Sequence, residues 1–232
     1  MQWNVPRLWK NQDVWILGGG PSLTSNFNIP DNIVEGVRAQ QMPLSSYSTF
    51  MSKIHDKNII GVNVAFKLGN WVDICFFGDV SFLLKYEEAL LRSSCLKVSC
   101  AEKAKDLTWV KFLPVDYKTR GRLTFDTTKI SWNFNSGSSS INLAAHLGAK
   151  RIILVGFDMN MPENNQPHWH NEYKKSKLTE QERINRLIHF NQFLAPFPKI
   201  KKDLDSVGIK IFNTSLNSSI NCIEKVPITE FI

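Results

Sequence analysis

The chain has 232 residues, 43% of them hydrophobic, which is enough for one sizeable core and makes a single domain the expectation. Lys and Arg number 28 against 21 Asp and Glu, a net charge of +7 and a pI near 9.2, so an anionic partner is favoured: a nucleotide, a nucleic acid or an acidic glycan. No run approaches the roughly 18 apolar residues of a membrane span, the opening MQWNVPRLWKNQ has no apolar signal core, and Cys75, Cys95, Cys100 and Cys222 form no C-x-x-C pair; the expectation is a chain without stable membrane insertion, working in a reducing cytoplasm.

In chain order, DVWILG is the first strand candidate and runs straight into GGGPSL. Residues 28–56 read as polar and irregular. NIIGVNVAF and WVDICFFGD are the second and third strands. The runs 72–78 and 151–157 are apolar on both alternating faces, the mark of strands covered on both sides in a parallel sheet. VSFLLKYEEALLRS predicts a helix with Phe82, Leu83, Leu90 and Leu91 near one face. CLKVSC and WVKFLPV are weaker strand signals. SSSINLAAHLGAK predicts a helix from a serine start to Gly148. RIILVGFDM is the strongest strand. A polar loop over 159–178 follows, then a helix over TEQERINRLIHFNQFLA with Thr179 and Glu182 at capping-box spacing, and GIKIFNTS as the last strand. The alternation predicts one α/β domain over residues 1–232, a Rossmann-like, doubly wound and mainly parallel sheet, with a lid-like or acceptor-side extension over 159–205.

The glycines Gly18, Gly19 and Gly20 follow a buried strand, where the absence of a Cβ lets a ligand approach the backbone. Pro21 suits a first helical turn, and Ser22 offers a hydroxyl beside free N–H groups. The loop is neither G-x-G-x-x-G nor a P-loop. Asn63, Gly78, Asp79 and Asp158 end three other strand candidates, and in a parallel sheet ligands sit at those carboxyl ends. NSGSSS supplies Ser136 and Gly137 ahead of a helix, with Ser138 as its cap. His168 and His170 of HWH are candidates either for a general base, with a pKa near neutrality, or for a metal pair with Asp158 as third ligand. His55, His146 and His189 read as structural. Trp132, Phe134 and Trp169 read equally as stacking platforms or as packing.

WILGGGPSL, then NSGSSSINLAAHLGAKRIILVGFDM, then IFNTSLNSSI, in that order, resemble the bacterial sialyltransferases of glycosyltransferase family 42. The glycine loop is also similar to that of Maf-type flagellin glycosyltransferases and of MptE-like hydroxymethylpterin diphosphokinases. G-F-D followed by H-W-H is similar to short phage and prophage proteins, which would place the chain in a host cytoplasm. The resemblance implies a nucleotide lying along Gly19, Gly20, Ser22, Asn63, Ser136 and Gly137, with Asn217 and Ser218 from a late P-N-S motif. It implies a catalytic histidine at His168 or His170, with His170 favoured by its neighbours Trp169 and Asn171. Two positions depart from the family. Gly19 stands at the loop asparagine, and Asn160 stands at a tyrosine that helps hold the leaving phosphate, a role for which Tyr173 is a candidate that spacing alone does not establish.

The expected activity is transfer of a sugar from a nucleotide-activated donor to an acceptor hydroxyl, on a glycan or a modified DNA base. The nucleotide-sugar is a co-substrate, and no resident cofactor or metal is expected. One alternative is a magnesium-dependent diphosphokinase acting on a pterin-like alcohol, with Asp79 and Asp158 on the metal and Asp106 and Asp116 less well placed. The other is a non-catalytic nucleotide- or nucleic-acid-binding module.

Overall fold

The computed structural model describes residues 3–160, 166–173 and 180–232. Eight strands form one sheet: β1 (Asp13–Leu17), β2 (Asn58–Val62), β3 (Ile74–Phe77), β4 (Leu96–Ser99), β5 (Val110–Phe112), β6 (Arg151–Val155), β7 (Lys210–Asn213) and β8 (Glu224–Lys225). Their order is β5-β4-β3-β2-β1-β6-β7-β8, and each neighbouring pair is parallel. The seven strands expected from the sequence are all present. β8 is additional.

β1 lies between β2 and β6, with Trp15 opposite both Ile59 and Ile153. Because side chains alternate, the sheet separates the core into two layers. Trp15, Leu17, Ile59, Cys75, Phe77, Ile153 and Val155 face one layer. It is covered by α2 (Asp31–Arg38), by 3₁₀ turns over Leu44–Ile54 and Asn63–Leu68, and by α3 (Val80–Arg92). Val14, Ile16, Ile60, Ile74, Phe76, Ile152 and Leu154 face the other layer, with α4 (Ser136–His146) and α6 (Phe197–Ser206). Strands covered on both faces carry unbroken apolar runs, the doubly wound arrangement the sequence predicts.

Three local expectations are corrected. Residues 28–56 are not irregular: α2 and the Leu44–Ile54 turns bury Val34, Val37, Leu44, Tyr47, Met51 and Ile54. On α3 the inward face is Phe82, Leu83, Tyr86 and Leu90, while Leu91 is 53% exposed. The cap of α4 is Asn135, whose side chain accepts from the Ser138 backbone N–H at 2.8 Å, and the Ser138 hydroxyl donates inward to the Asn133 carbonyl at 2.6 Å. α4 ends before Gly148, as expected, at φ +93°. α5 (Glu180–Leu194) follows the histidine loop; the capping box expected at Thr179 and Glu182 lies outside the described residues.

The chain reverses its winding between β1 and β6. A crevice lies at that point on the carboxyl edge of the sheet, where ligands bind in open α/β folds.

Candidate functional site

That crevice is a cleft of about 280 Å³. Its floor is the glycine loop (α1, Ser22–Asn26, is the short helix after it) and the turn after β6. Gly18 N–H donates to the Val155 carbonyl and Gly20 N–H to the Gly156 carbonyl, both at 2.8 Å, so the two loops are stitched together. Gly156, at φ +72°, has the left-handed conformation that favours glycine. The three loop glycines differ in what surrounds them. A Cβ on Gly18 would lie 2.6 Å from the Gly156 carbonyl oxygen, and one on Gly20 would lie 1.8 Å from Asp158 Oδ2. A Cβ on Gly19 would meet only the His168 ring, at 3.1 Å. The space at Gly20 is therefore filled by the protein itself, while Gly19 is the glycine open to the cleft.

Asp158 holds this floor. Its Oδ2 accepts from Ser22 Oγ at 2.9 Å and from Ser22 N–H at 3.3 Å. Ser215 Oγ lies 2.5 Å from Ser22 Oγ and accepts from Phe157 N–H at 3.1 Å. A consistent set of donors runs from Phe157 N–H through Ser215 and Ser22 to the carboxylate. Burial raises the Asp158 pKa, and the bonds from Ser22 oppose that shift.

The histidine loop forms one wall. Trp169 is fully buried and anchors it: its indole N–H donates to the Gly18 carbonyl at 2.8 Å and its backbone N–H to the Gly19 carbonyl at 3.1 Å. Tyr47 Oη donates to the Trp169 carbonyl at 3.2 Å. This anchor presents His168 and His170 on the same side, with rings parallel within 7° and centroids 5.2 Å apart. Their hydrogen bonds imply opposite proton arrangements. His168 Nδ1 faces the Gly19 carbonyl at 3.3 Å and must donate to it, which makes Nε2 the basic nitrogen. His170 Nδ1 accepts from Glu172 N–H at 3.3 Å, which places the proton of the neutral ring on Nε2. Burial, with the charges of His168, Lys67 and Lys85, holds the His170 pKa well below the usual histidine value.

Glu172 organises the positive side of this wall. It pairs with Lys67 at 3.1 Å, accepts from Tyr86 Oη at 2.6 Å, and its carbonyl accepts from Lys85 Nζ at 2.5 Å. Burial works against its ionised form, but Tyr86 and Lys67 keep its pKa below the ordinary carboxylate value. Burial and the Glu172 carboxylate push the Tyr86 phenol up. Tyr173 packs edge-on to both histidines and faces the Asn63 amide. Burial, then the charges of Asp79 and Glu172, raises its pKa. Asp79, at the cleft mouth, is raised by the desolvating walls.

The cleft brings together Gly18, Gly19, Gly20, Asn63, Asp79, Ser136, Gly137, Asp158, His168 and His170, drawn from segments far apart in sequence. Other predicted residues lie beside it. Pro21 and Ser22 lie behind the loop. Gly78 lines a neighbouring groove, and its N–H donates to Ser136 Oγ at 3.2 Å. Ser138 points inward. Ser218 Oγ donates to the Phe157 carbonyl at 2.6 Å, and the Asn217 carbonyl accepts from Asn160 at 2.8 Å, so both brace the turn after β6. The sequence reading missed Asn135, Phe157, Met159, Phe190 and Phe193 in the lining, and the Lys67–Glu172–Lys85 network. The only sequence signal for the two phenylalanines is their spacing on α5. Among the described residues no three His, Cys, Asp or Glu side chains converge as a metal site requires, and no helix is long and apolar enough to cross a membrane.

No protein-family model and no curated protein matches the chain. Among solved structures it is similar to the sialyltransferase CstII from Campylobacter jejuni in complex with cytidine-5'-monophosphate, at 17% identity and TM-score 0.46, over 93% of this chain and 85% of that one. It is also similar to the sialyltransferase Cst-II with trisaccharide acceptor and CMP, at 16% identity and TM-score 0.45, over 93% and 86%. A third likeness is to an alpha-2,3-sialyltransferase from Campylobacter jejuni in apo form, at 16% identity and TM-score 0.46, over 94% and 81%.

Proposed function

We propose that the chain is a glycosyltransferase that moves a sugar from a nucleotide-activated donor to an acceptor hydroxyl. The observation that carries this reading is one cleft, at the winding reversal of a parallel sheet, lined by a glycine loop, by the first turn of an eleven-residue helix and by two histidines with opposite proton arrangements. The donor nucleotide lies over Gly19 with its phosphates toward Ser136 and Gly137, whose N–H groups begin α4 and favour negative charge. Asn63 and Asp79 border the same space. His168 Nε2 takes the acceptor proton as the acceptor oxygen bonds to the anomeric carbon. The bond from that carbon to the phosphate oxygen breaks, and the nucleotide leaves with the electron pair. His170, neutral and protonated at Nε2, donates a hydrogen bond to charge developing on the leaving group, and Lys67 and Lys85 lie behind it.

The diphosphokinase reading needs Asp79 and Asp158 free for a metal, and Asp158 Oδ2 is already bonded twice by Ser22. The test is a thermal-shift panel of CMP, UDP, GDP, ATP and their sugar conjugates, with and without magnesium, followed by turnover assays with the stabilising donor. A specific nucleotide at a hundredfold excess over its Kd stabilises the fold by about 2.7 kcal/mol. Nitrogen-15 spectra of the two imidazoles provide a substrate-free check: His168 should show the Nδ1–H form and His170 the Nε2–H form. The reverse pattern, or binding of no nucleotide, would remove the basis of the proposal.

A further inference from the structure

Because neighbouring strands are all parallel, every strand starts at one edge of the sheet and ends at the other. The cleft occupies the carboxyl edge. A separate pocket of about 600 Å³ lies at the amino edge, where β2, β1, β6 and β7 begin side by side. Those starts bring together Lys57, Lys150, Arg151 and Lys210, from segments far apart in sequence, in a row about 14 Å long at the usual strand spacing. The two carboxylates of the pocket are already taken up: Asp13 by Arg151, and Asp56 by Lys57 at 3.1 Å. Lys150 and Lys210 are exposed and have no ion-pair partner among the described residues.

The turn before β1 extends this edge. Trp9 N–H donates to the Leu147 carbonyl and Asn11 N–H to the Gly148 carbonyl, both at 2.9 Å, which folds the turn over the end of α4. Trp9 is buried by this, while Arg7, Leu8 and Lys10 stay outside, with Leu8 55% exposed. Arg7 and Lys10 also lack an ion-pair partner among the described residues. Beside the start of β7, Val207 is 48% exposed and precedes Gly208, where an added Cβ would meet nothing within 4 Å. Unpaired cations and aliphatic side chains therefore share one open edge.

We infer that this edge docks the chain on an anionic membrane surface, with lipid phosphates at Lys150 and Lys210 and with Leu8 and Val207 against the lipid interface. Charge complementarity carries the inference. Arg7, Lys10, Lys150 and Lys210 are four positive charges with no internal partner, and the chain as a whole is at +7. Each Lys or Arg near such a surface contributes about fivefold to binding. The aliphatic side chains select the partner: they are buried at a lipid interface, whereas a phosphodiester backbone gives them nothing to contact. Among the described residues no helix is long and apolar enough to cross a membrane, and docking through this edge requires none. The five residues of β1 hold the cleft about 13 Å from the docked edge, facing away from the lipid.

The experiment is co-sedimentation of the full chain with vesicles of phosphatidylcholine, with and without phosphatidylglycerol, at low and high salt, with a single-stranded oligothymidylate titrated in parallel. Binding to the phosphatidylglycerol vesicles alone is expected, and high salt should abolish it. The double variant Lys150→Gln/Lys210→Gln should bind them about thirtyfold more weakly. Its melting curve should match wild type, because both side chains are exposed and unpaired. Leu8→Ser should weaken vesicle binding about fivefold without changing its salt dependence. No binding to phosphatidylglycerol vesicles overturns the inference, as does binding that is indifferent to the double substitution. Leu8→Ser binding vesicles as well as wild type removes the lipid contact and overturns it too. Oligothymidylate bound more tightly than vesicles, and lost in the same double variant, would assign the edge to nucleic acid instead.

Discussion

Replacing Gly20 by Ala tests whether the glycine loop is shaped by the protein or by a ligand. The backbone at Gly20 does not have a positive φ, so alanine costs nothing conformationally and the penalty is steric. The new Cβ would fall 1.8 Å from Asp158 Oδ2 and 2.8 Å from the Gly156 carbonyl oxygen. Asp158 must swing away, breaking its bonds from Ser22 N–H and Oγ. Hydrogen bonds to a charged group contribute about 1.5–3 kcal/mol each, so the expected loss is about 3–6 kcal/mol, which in a chain of this size lowers Tm by roughly 6–24 °C. Gly19→Ala is the control. Its Cβ meets only a movable imidazole and should cost less than about 1 kcal/mol. Chemical denaturation of Gly20→Ala, Asp158→Ala and the double variant completes a cycle. The double variant should be more stable than the sum of the singles predicts by about 1–3 kcal/mol, limited by the remaining contact with the Gly156 carbonyl. A Gly20→Ala protein as stable as Gly19→Ala, or an additive cycle, would refute the argument and return Gly20 to a purely ligand-facing role.

Three further outcomes are expected. His168→Asn should reduce turnover by roughly a hundredfold to ten-thousandfold with donor affinity nearly intact; turnover within a factor of two of wild type would exclude it as the base. Burial holds both His170 and His146 below the ordinary histidine pKa, so the unfolded chain binds more protons than the folded one below about pH 6.5, and stability falls as pH drops through that value, by at most about 1.4 kcal/mol per pH unit for each histidine. His170→Gln removes one of these contributions, so a wild-type-minus-variant stability difference that stays flat from pH 7 to pH 5 would contradict the burial argument. Trp169→Phe leaves the Gly18 carbonyl without its indole donor and should cost about 1–3 kcal/mol by denaturation; a neutral result would mean the loop is held by its backbone bonds alone.

The parts of this fold that were legible are those in which a local pattern and tertiary position agree. The stretches 74–77 and 152–155 are apolar at every step because helices cover both faces of β3 and β6, and that leaves a signature in four consecutive letters. β8 has two residues, Glu224 and Lys225, and no apolar pattern to read. The stretch 28–56 concealed its helices because Val34 and Val37, and separately Tyr47, Met51 and Ile54, recur three or four apart in two short groups divided by a polar segment with Gln40, Gln41, Ser45 and Ser46. Within the site, glycine and strand-end residues were legible because backbone geometry constrains their type. The Ser22–Asp158 bond and the Lys67–Glu172 pair were not, because their partners lie 136 and 105 residues apart.

The most local evidence for a binding site is where the chain departs from its own rules. Among the described residues six non-glycine residues have positive φ, and three of them, Asn63 (+52°), Phe134 (+66°) and Met159 (+50°), line the cleft. Asparagine tolerates that conformation, whereas phenylalanine and methionine take it at a cost of about 1–3 kcal/mol each. The Asn63 side-chain oxygen adds a second cost, buried without a hydrogen-bond partner at the end of β2. What the strained positions share is the space they border. Left-handed backbone at 63 turns the chain out of β2 beside the glycine loop, and at 134 it sets an aromatic ring between the cleft and Arg120. A ligand that bonds the Asn63 oxygen and rests against Phe134 would recover the first cost and use the second, which is what preorganisation for the proposed binding at this edge of the sheet requires.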